Sequence, residues 1–155
     1  MNLEISVECD SWNEKEIKSI AAECVQAVFS EVGIKNDDIE VCFLFTNDEE
    51  MCILNKTYRG INKPTNVLSF PACDPFSEEE SHCILGSIVL AFETIERESR
   101  EQKKTLQNHL KHLITHGTLH LLRYDHVNEI EAQQMEELEE KILKKLSVKN
   151  PYEKD

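Results

Sequence analysis

Short apolar runs of strand character alternate along the chain with longer segments of helical periodicity, and this alternation is what most constrains the fold. Within residues 3–7, apolar side chains alternate with polar ones, as in a half-buried strand. Residues 17–32 carry apolar side chains at helical spacing, between a capping Asn13 and a helix-ending Gly33. The same criteria predict further strands at 41–45, 67–70 and 84–90, further helices at 47–58, 105–122 and 129–146, and a highly charged stretch within a helical region at 93–104.

The chain is 155 residues long and has neither an internal repeat nor a linker, so it predicts a single domain over residues 1–155. Strands that alternate with helices indicate an α/β (α+β-like) fold. We therefore expect a small, mixed, four-stranded sheet packed with about five helices.

The chain carries 17 Lys and Arg against 30 Asp and Glu, a formal net charge of −13. This acidity excludes a protein that grips nucleic acid by bulk positive charge, and it excludes a polybasic membrane-surface binder. No apolar run approaches the roughly 18 residues of a membrane span, and the N-terminus does not resemble a signal peptide. The six cysteines form no C-x-x-C pair, so we expect reduced thiols in a soluble, intracellular protein.

Residues 116–126, with the sequence HGTLHLLRYDH, concentrate the side chains that can do chemistry. Successive helical residues turn by about 100°, so His116 and His120 lie about 40° apart and one turn apart. Two imidazoles so placed can bind a single cation, as in the H-x-x-x-H pair of zinc enzymes. His126 lies beyond the expected helix end, where the chain can turn back over this pair. Three imidazoles would leave the open position that a catalytic metal ion requires.

Other readings of the histidines remain open. His109 and His112 lie on nearly the same helical face as His116. His112 and His120 are about 12 Å apart along a helix and cannot share an ion unless the helix breaks. His112 with His116 is nevertheless an alternative pair. A further possibility is that the histidines meet by accident and bind nothing.

The spacing of the three histidines also matches the zincin peptidase pattern HExxHxxGxxH. Gly117 stands where those peptidases carry the Glu that serves as general base, which argues against a peptidase. Arg123 stands where they carry Gly, although the chain must reverse near this position. A left-handed Arg would cost on the order of 1 kcal/mol or more.

The pattern H-G-x-L-H-L-x-x-Y-D-H resembles the signature of the YbeY family of bacterial endoribonucleases. Other blocks of the chain resemble family blocks in the same order: LNKTYR at 54–59, KPTNVLSFP at 63–71 and LGSIV at 85–89. MEELE, at residues 135–139, is similar to the family's closing helix. The chain departs from the family at Ser87, where Asp is usual, and at Arg123, where Gly is usual.

The resemblance implies an α/β domain with one zinc-type divalent ion held by His116, His120 and His126. It implies hydrolysis of single-stranded RNA, in 16S rRNA 3′-end maturation and ribosome quality control on the small ribosomal subunit of the bacterial cytoplasm. DNA and membranes are not implied as partners. Arg59 matches a family position associated with contact to RNA or phosphate.

An RNA substrate needs local positive charge, because a protein of net charge −13 repels phosphates at long range. A local patch acts within a Debye length of about 8 Å. The candidates for this patch are Lys56, Arg59, Lys63 and Arg123. We expect the acidic runs 78–80 and 136–140, in contrast, to be solvated surface.

Two other functions could use the same histidines. A zinc peptidase or other metallohydrolase is disfavoured by Gly117. A non-catalytic ribosome-assembly factor with a structural metal would need a closed four-ligand site, and no fourth strong ligand lies near the three histidines in the sequence. The more distant His82, Cys73 and Cys83 remain candidates for a fourth ligand.

Overall fold

The computed structural model describes residues 1–35, 38–74, 83–124 and 128–148. Every predicted strand and helix is present, and the charged stretch after the fourth strand is itself a helix. In chain order the elements are β1 (Asn2–Val7), α1 (Glu14–Val32), β2 (Ile39–Thr46), α2 (Asp48–Arg59), β3 (Val67–Pro71), β4 (Cys83–Ala91), α3 (Phe92–Glu101), α4 (Leu106–Leu121) and α5 (Glu129–Lys145).

The strands form one four-stranded sheet in the order β1-β2-β4-β3. β1 pairs with β2 and β2 pairs with β4, both in parallel, whereas β3 runs antiparallel to β4. The sheet is therefore mixed. These features confirm the predicted fold class, a small mixed sheet packed with five helices.

Helices cover the two faces of the sheet unequally. The main core lies on one face, where α1, α3 and α4 pack against the sheet and α5 packs against α1 and α4. This core includes Val25, Ile95 and Ile114. A smaller cluster lies on the other face under α2, with Met51 and Val89 at its centre. In the part of the chain that the structure describes, no helix is long and apolar enough to cross a bilayer.

Cys73 and Cys83 are joined by a disulfide, so the expectation of six reduced thiols is wrong for this pair. Antiparallel pairing of β3 with β4 brings the two residues together: the Cys73 amide donates to the Ile84 carbonyl at 3.1 Å, and the two cysteine Cα atoms are 5.8 Å apart. The spacing of the cysteines in the sequence carried no sign of this register. Cys9, Cys24, Cys42 and Cys52 are free thiols.

Gly86 lies where the register of β2 against β4 shifts, and it has a φ of 153°. A Cβ at this position would lie 2.3 Å from the Phe70 carbonyl oxygen and 2.8 Å from Leu121 Cδ2. Only glycine fits here, because both the backbone angle and the space exclude a side chain.

We predict that Gly86→Ala lowers the free energy of unfolding by about 2–4 kcal/mol, from backbone strain and overpacking together. Urea unfolding of the purified variant measures this loss. Gly33→Ala is the matched control, because Gly33 also has a positive φ (81°) but faces open space. The control should lose only about 1 kcal/mol. Equal losses in the two variants would show that the close contact with β3 is unimportant.

Candidate metal centre

Helix α4 lies directly on strands β3 and β4 at Gly117. A Cβ on Gly117 would be 3.1 Å from Ser69 Oγ and 3.3 Å from a methyl carbon of Ile88. The Ser69 hydroxyl donates a hydrogen bond to the Gly117 carbonyl at 3.1 Å. A Glu at position 117 would therefore be crowded by Ser69 and Ile88 of the sheet.

The structure brings His116 and His120 together at the edge of α4 that borders this contact. Their Nε2 atoms are 2.9 Å apart, and their ring centroids are 4.4 Å apart. The rings of His112 and His116 are farther apart, with centroids separated by 6.3 Å. The ligating nitrogens of a zinc site lie within about 4 Å of one another, so the pair fits one cation. His126, the predicted third ligand, lies outside the described residues.

Glu139 of α5 is the exception to the expectation that residues 136–140 are solvated surface, since Glu137 and Glu140 are exposed. The other acidic run, 78–80, lies outside the described residues. The Glu139 side chain is fully buried. One of its oxygens, Oε1, is hydrogen-bonded to His116 Nδ1, and the other, Oε2, lies 3.5 Å from His112 Nε2. The sequence did contain a signal, since Glu139 follows Met135 by four residues and precedes Ile142 by three, which places it on the apolar stripe of α5.

His109 belongs to a separate polar group behind the cleft. Its side chain is only 3% exposed, and its Nε2 lies 2.9 Å from Glu98 Oε1. Asn66 donates to the same carboxylate oxygen at 3.0 Å. His109 is therefore held by Glu98. The role of Glu98 was hidden from sequence reasoning inside a run of charged residues.

The end of α4 adopts the left-handed turn that its sequence required. Arg123 has a φ of 75°. The Arg123 amide donates to the His120 carbonyl and the Tyr124 amide to the Leu119 carbonyl, at 3.0 and 3.1 Å, which is a Schellman ending. The Arg123 guanidinium also donates to the Ala72 carbonyl at 3.1 Å, which ties the helix end to the chain after β3.

A cleft of about 730 Å³ opens beside the paired histidines. Its lining includes His112, His116 and His120 together with both Arg59 and Arg123, and no carboxylate among the residues that the structure describes. Lys56 and Lys63 are not part of this lining. The positive charge expected around the histidines is thus supplied by two arginines, although the whole chain is acidic.

A second cluster of possible metal ligands lies on the sheet face away from α4. Ligand atoms of Glu4, Glu40 and Cys42 all lie within 4.8 Å of one another on β1 and β2. Burial and the two carboxylates raise the pKa of the Cys42 thiol. These side chains take no part in the cleft.

Comparison with known proteins identifies the family. A family model described as Endoribonuclease YbeY matches residues 3–147. The chain belongs to the YbeY family. A relative named Endoribonuclease YbeY from Bartonella henselae is 43% identical, over 98% of this chain and 97% of the relative. Another relative with that name, from Bradyrhizobium diazoefficiens, is 41% identical, over 96% of this chain and 84% of the relative.

A solved structure supports the fold of this YbeY family member. The solution structure of a Thermotoga maritima protein matches it with a TM-score of 0.59, covering 98% of this chain and 99% of that one at 23% sequence identity. The resemblance inferred from the histidine signature and its accompanying blocks is therefore confirmed at the level of family and fold.

The buried His109 generates a prediction on pH. Burial lowers the pKa of His109 below its ordinary value of 6.5. The hydrogen bond and charge of Glu98 raise this pKa, and the charges of His112 and Lys104 lower it, so that the net shift is downward. The folded protein therefore takes up a proton on His109 at a lower pH than the unfolded chain, which does so near pH 6.5. We expect this group to reduce stability as the pH falls through that value.

Urea unfolding of wild type and His109→Gln between pH 7.5 and 5.5 measures this effect. The difference between the two proteins isolates His109 from the other histidines. The stability of the wild type should fall more steeply on acidification than that of the variant. A steeper fall in the variant would mean that pairing with Glu98 outweighs burial.

Proposed function

We propose that this member of the YbeY family is a metal-dependent endoribonuclease that cleaves single-stranded RNA. One divalent ion, Zn²⁺ as the simplest choice, would be held by His116, His120 and His126. The observation that carries the proposal is the approach of His116 Nε2 and His120 Nε2 to 2.9 Å at the wall of a cleft that Arg59 and Arg123 also line.

The donor set suits such an ion. Neutral imidazole nitrogens are ordinary ligands of Zn²⁺, and three of them leave a coordination position open for catalysis. When bound, the ion supplies Lewis-acid chemistry, by polarising a phosphoryl oxygen and lowering the pKa of water.

The two arginines supply positive charge for RNA phosphates in the cleft, although the chain as a whole is acidic. A guanidinium binds phosphate oxygens in a bidentate manner and stays charged at every physiological pH. Arg59 is the last residue of α2 and Arg123 follows the C-terminal end of α4, so the two cations reach the cleft from different elements of the fold. A phosphodiester drawn between them would be oriented against the paired imidazoles.

Membership of the YbeY family supports a proposal for the physiological substrate. Relatives with the printed name Endoribonuclease YbeY come from bacteria. We infer that this chain acts in 16S rRNA 3′-end maturation and ribosome quality control, with the small ribosomal subunit as partner and the bacterial cytoplasm as location. Neither DNA nor a membrane is part of this proposal.

Metal analysis and RNA cleavage, measured on the same preparations, test the proposal. Wild type and His116→Ala are stripped with a chelator, reloaded with Zn²⁺, and incubated with end-labelled single-stranded RNA. We expect the variant to lose bound zinc and to cleave more than about 100-fold more slowly, because loss of a ligand should exceed the 10–100-fold effect typical of outer-shell partners. Equal zinc content and equal cleavage would overturn the site.

Two further variants sharpen the assay. Lys111→Ala is the matched control on α4, since Lys111 faces α1 rather than the cleft, and it should match wild type in both measurements. Arg59→Ala should keep its zinc but bind RNA more weakly, with a salt-dependence slope smaller by about 0.7 per lost phosphate contact. Zinc binding without RNA cleavage would favour the non-catalytic assembly factor, and cleavage of casein instead of RNA would favour a peptidase.

A further inference from the structure

Glu139 is a carboxylate in a place where carboxylates are costly. It projects from α5 into the main core between Met135 and Ile142, and its side chain is fully buried. A carboxylate that gives up water is retained only where hydrogen bonds or opposite charge replace its hydration. The groups that contact the Glu139 carboxylate should therefore indicate its role.

Those partners are two histidines on successive turns of α4. Glu139 Oε1 accepts from His116 Nδ1, and Glu139 Oε2 lies 3.5 Å from His112 Nε2. The carboxylate thus stands behind the His116 ring, on the side away from His120.

This contact determines which nitrogen of His116 is available. A carboxylate acceptor at Nδ1 keeps the proton on that nitrogen, so the lone pair of the neutral ring lies at Nε2. Nε2 is the atom that meets His120 Nε2 at 2.9 Å. The Nε2 atom of His112 lies 3.5 Å from the other oxygen of Glu139, Oε2.

We propose that Glu139 is a positioning residue for the metal centre. It fixes the tautomer and ring plane of His116 and makes Nε2 a stronger donor to a cation. This inference rests on the proposed metal site at His116 and His120. Partners of this kind orient metal-binding histidines in many proteins, and their removal typically weakens metal binding 10–100-fold.

The test compares Glu139→Gln with Glu140→Gln. The first variant keeps the shape of the side chain but removes its charge, and the second makes the same change at the exposed neighbouring position on α5. Competition with a chromophoric chelator gives the dissociation constant of each protein for Zn²⁺. Glu139→Gln should raise this constant about 10–100-fold, and Glu140→Gln should leave it unchanged. The visible spectrum of the Co²⁺-loaded protein should change only in Glu139→Gln.

Circular dichroism and thermal unfolding of the metal-free variants show whether each one folds. A purely structural role would lower the stability of Glu139→Gln and leave its metal affinity intact, which would overturn the proposal. Should Glu139→Gln fail to fold, nitrogen NMR of metal-free wild type decides instead, where His116 is expected as the Nδ1–H tautomer. The Nε2–H tautomer would contradict the proposal.

The outcomes separate this inference from the proposed function. Wild type that binds zinc and cleaves RNA, with an unchanged affinity in Glu139→Gln, would refute the positioning role alone. A weakened affinity in Glu139→Gln, without RNA cleavage by wild type, would support the positioning role and refute the nuclease. Wild type that binds no metal would contradict both.

Discussion

The close contact of α4 with the sheet at Gly117 is the constraint on which the candidate site depends. With no side chain between them, the helix backbone and Ser69 come within hydrogen-bonding distance, and Gly86 permits the same close approach between β4 and β3. One edge of α4 therefore remains at the rim of the core, neither buried under the sheet nor fully in water. His116 and His120 occupy that edge.

The site also shows how an acidic protein can present a surface suited to phosphate. The net charge of −13 is distributed over the chain, whereas the lining of the cleft has two arginines and no carboxylate among the residues described here. The buried acid Glu139 lies against His116 and His112 from α5 and is paired with them. At physiological salt, charges beyond about 8 Å are screened. The charges that line the cleft therefore affect a bound phosphate more than the net charge of the chain does.

Periodicity and caps were enough to predict the elements, and the histidine spacing was enough to predict the pair on α4, because both depend on contacts within one helix or strand. Properties that arise between elements were hidden. In the sequence, Glu139 is one of several neighbouring acids, and its contact with His116 arises only when α5 packs against α4. The Cys73–Cys83 disulfide likewise depends on the register of β3 against β4. The sequence required a chain reversal near Arg123, and the structure shows that Arg123 itself takes the left-handed conformation.

The central claim is that a single cation is held by imidazole nitrogens at the end of α4. X-ray absorption at the zinc edge of the loaded protein measures the ligands directly. We expect a first shell near 2.0 Å, with the multiple-scattering pattern of about three imidazoles and with one additional oxygen ligand. A shell of carboxylate oxygens together with a sulfur near 2.3 Å would instead place the ion at Glu4, Glu40 and Cys42 and contradict the claim.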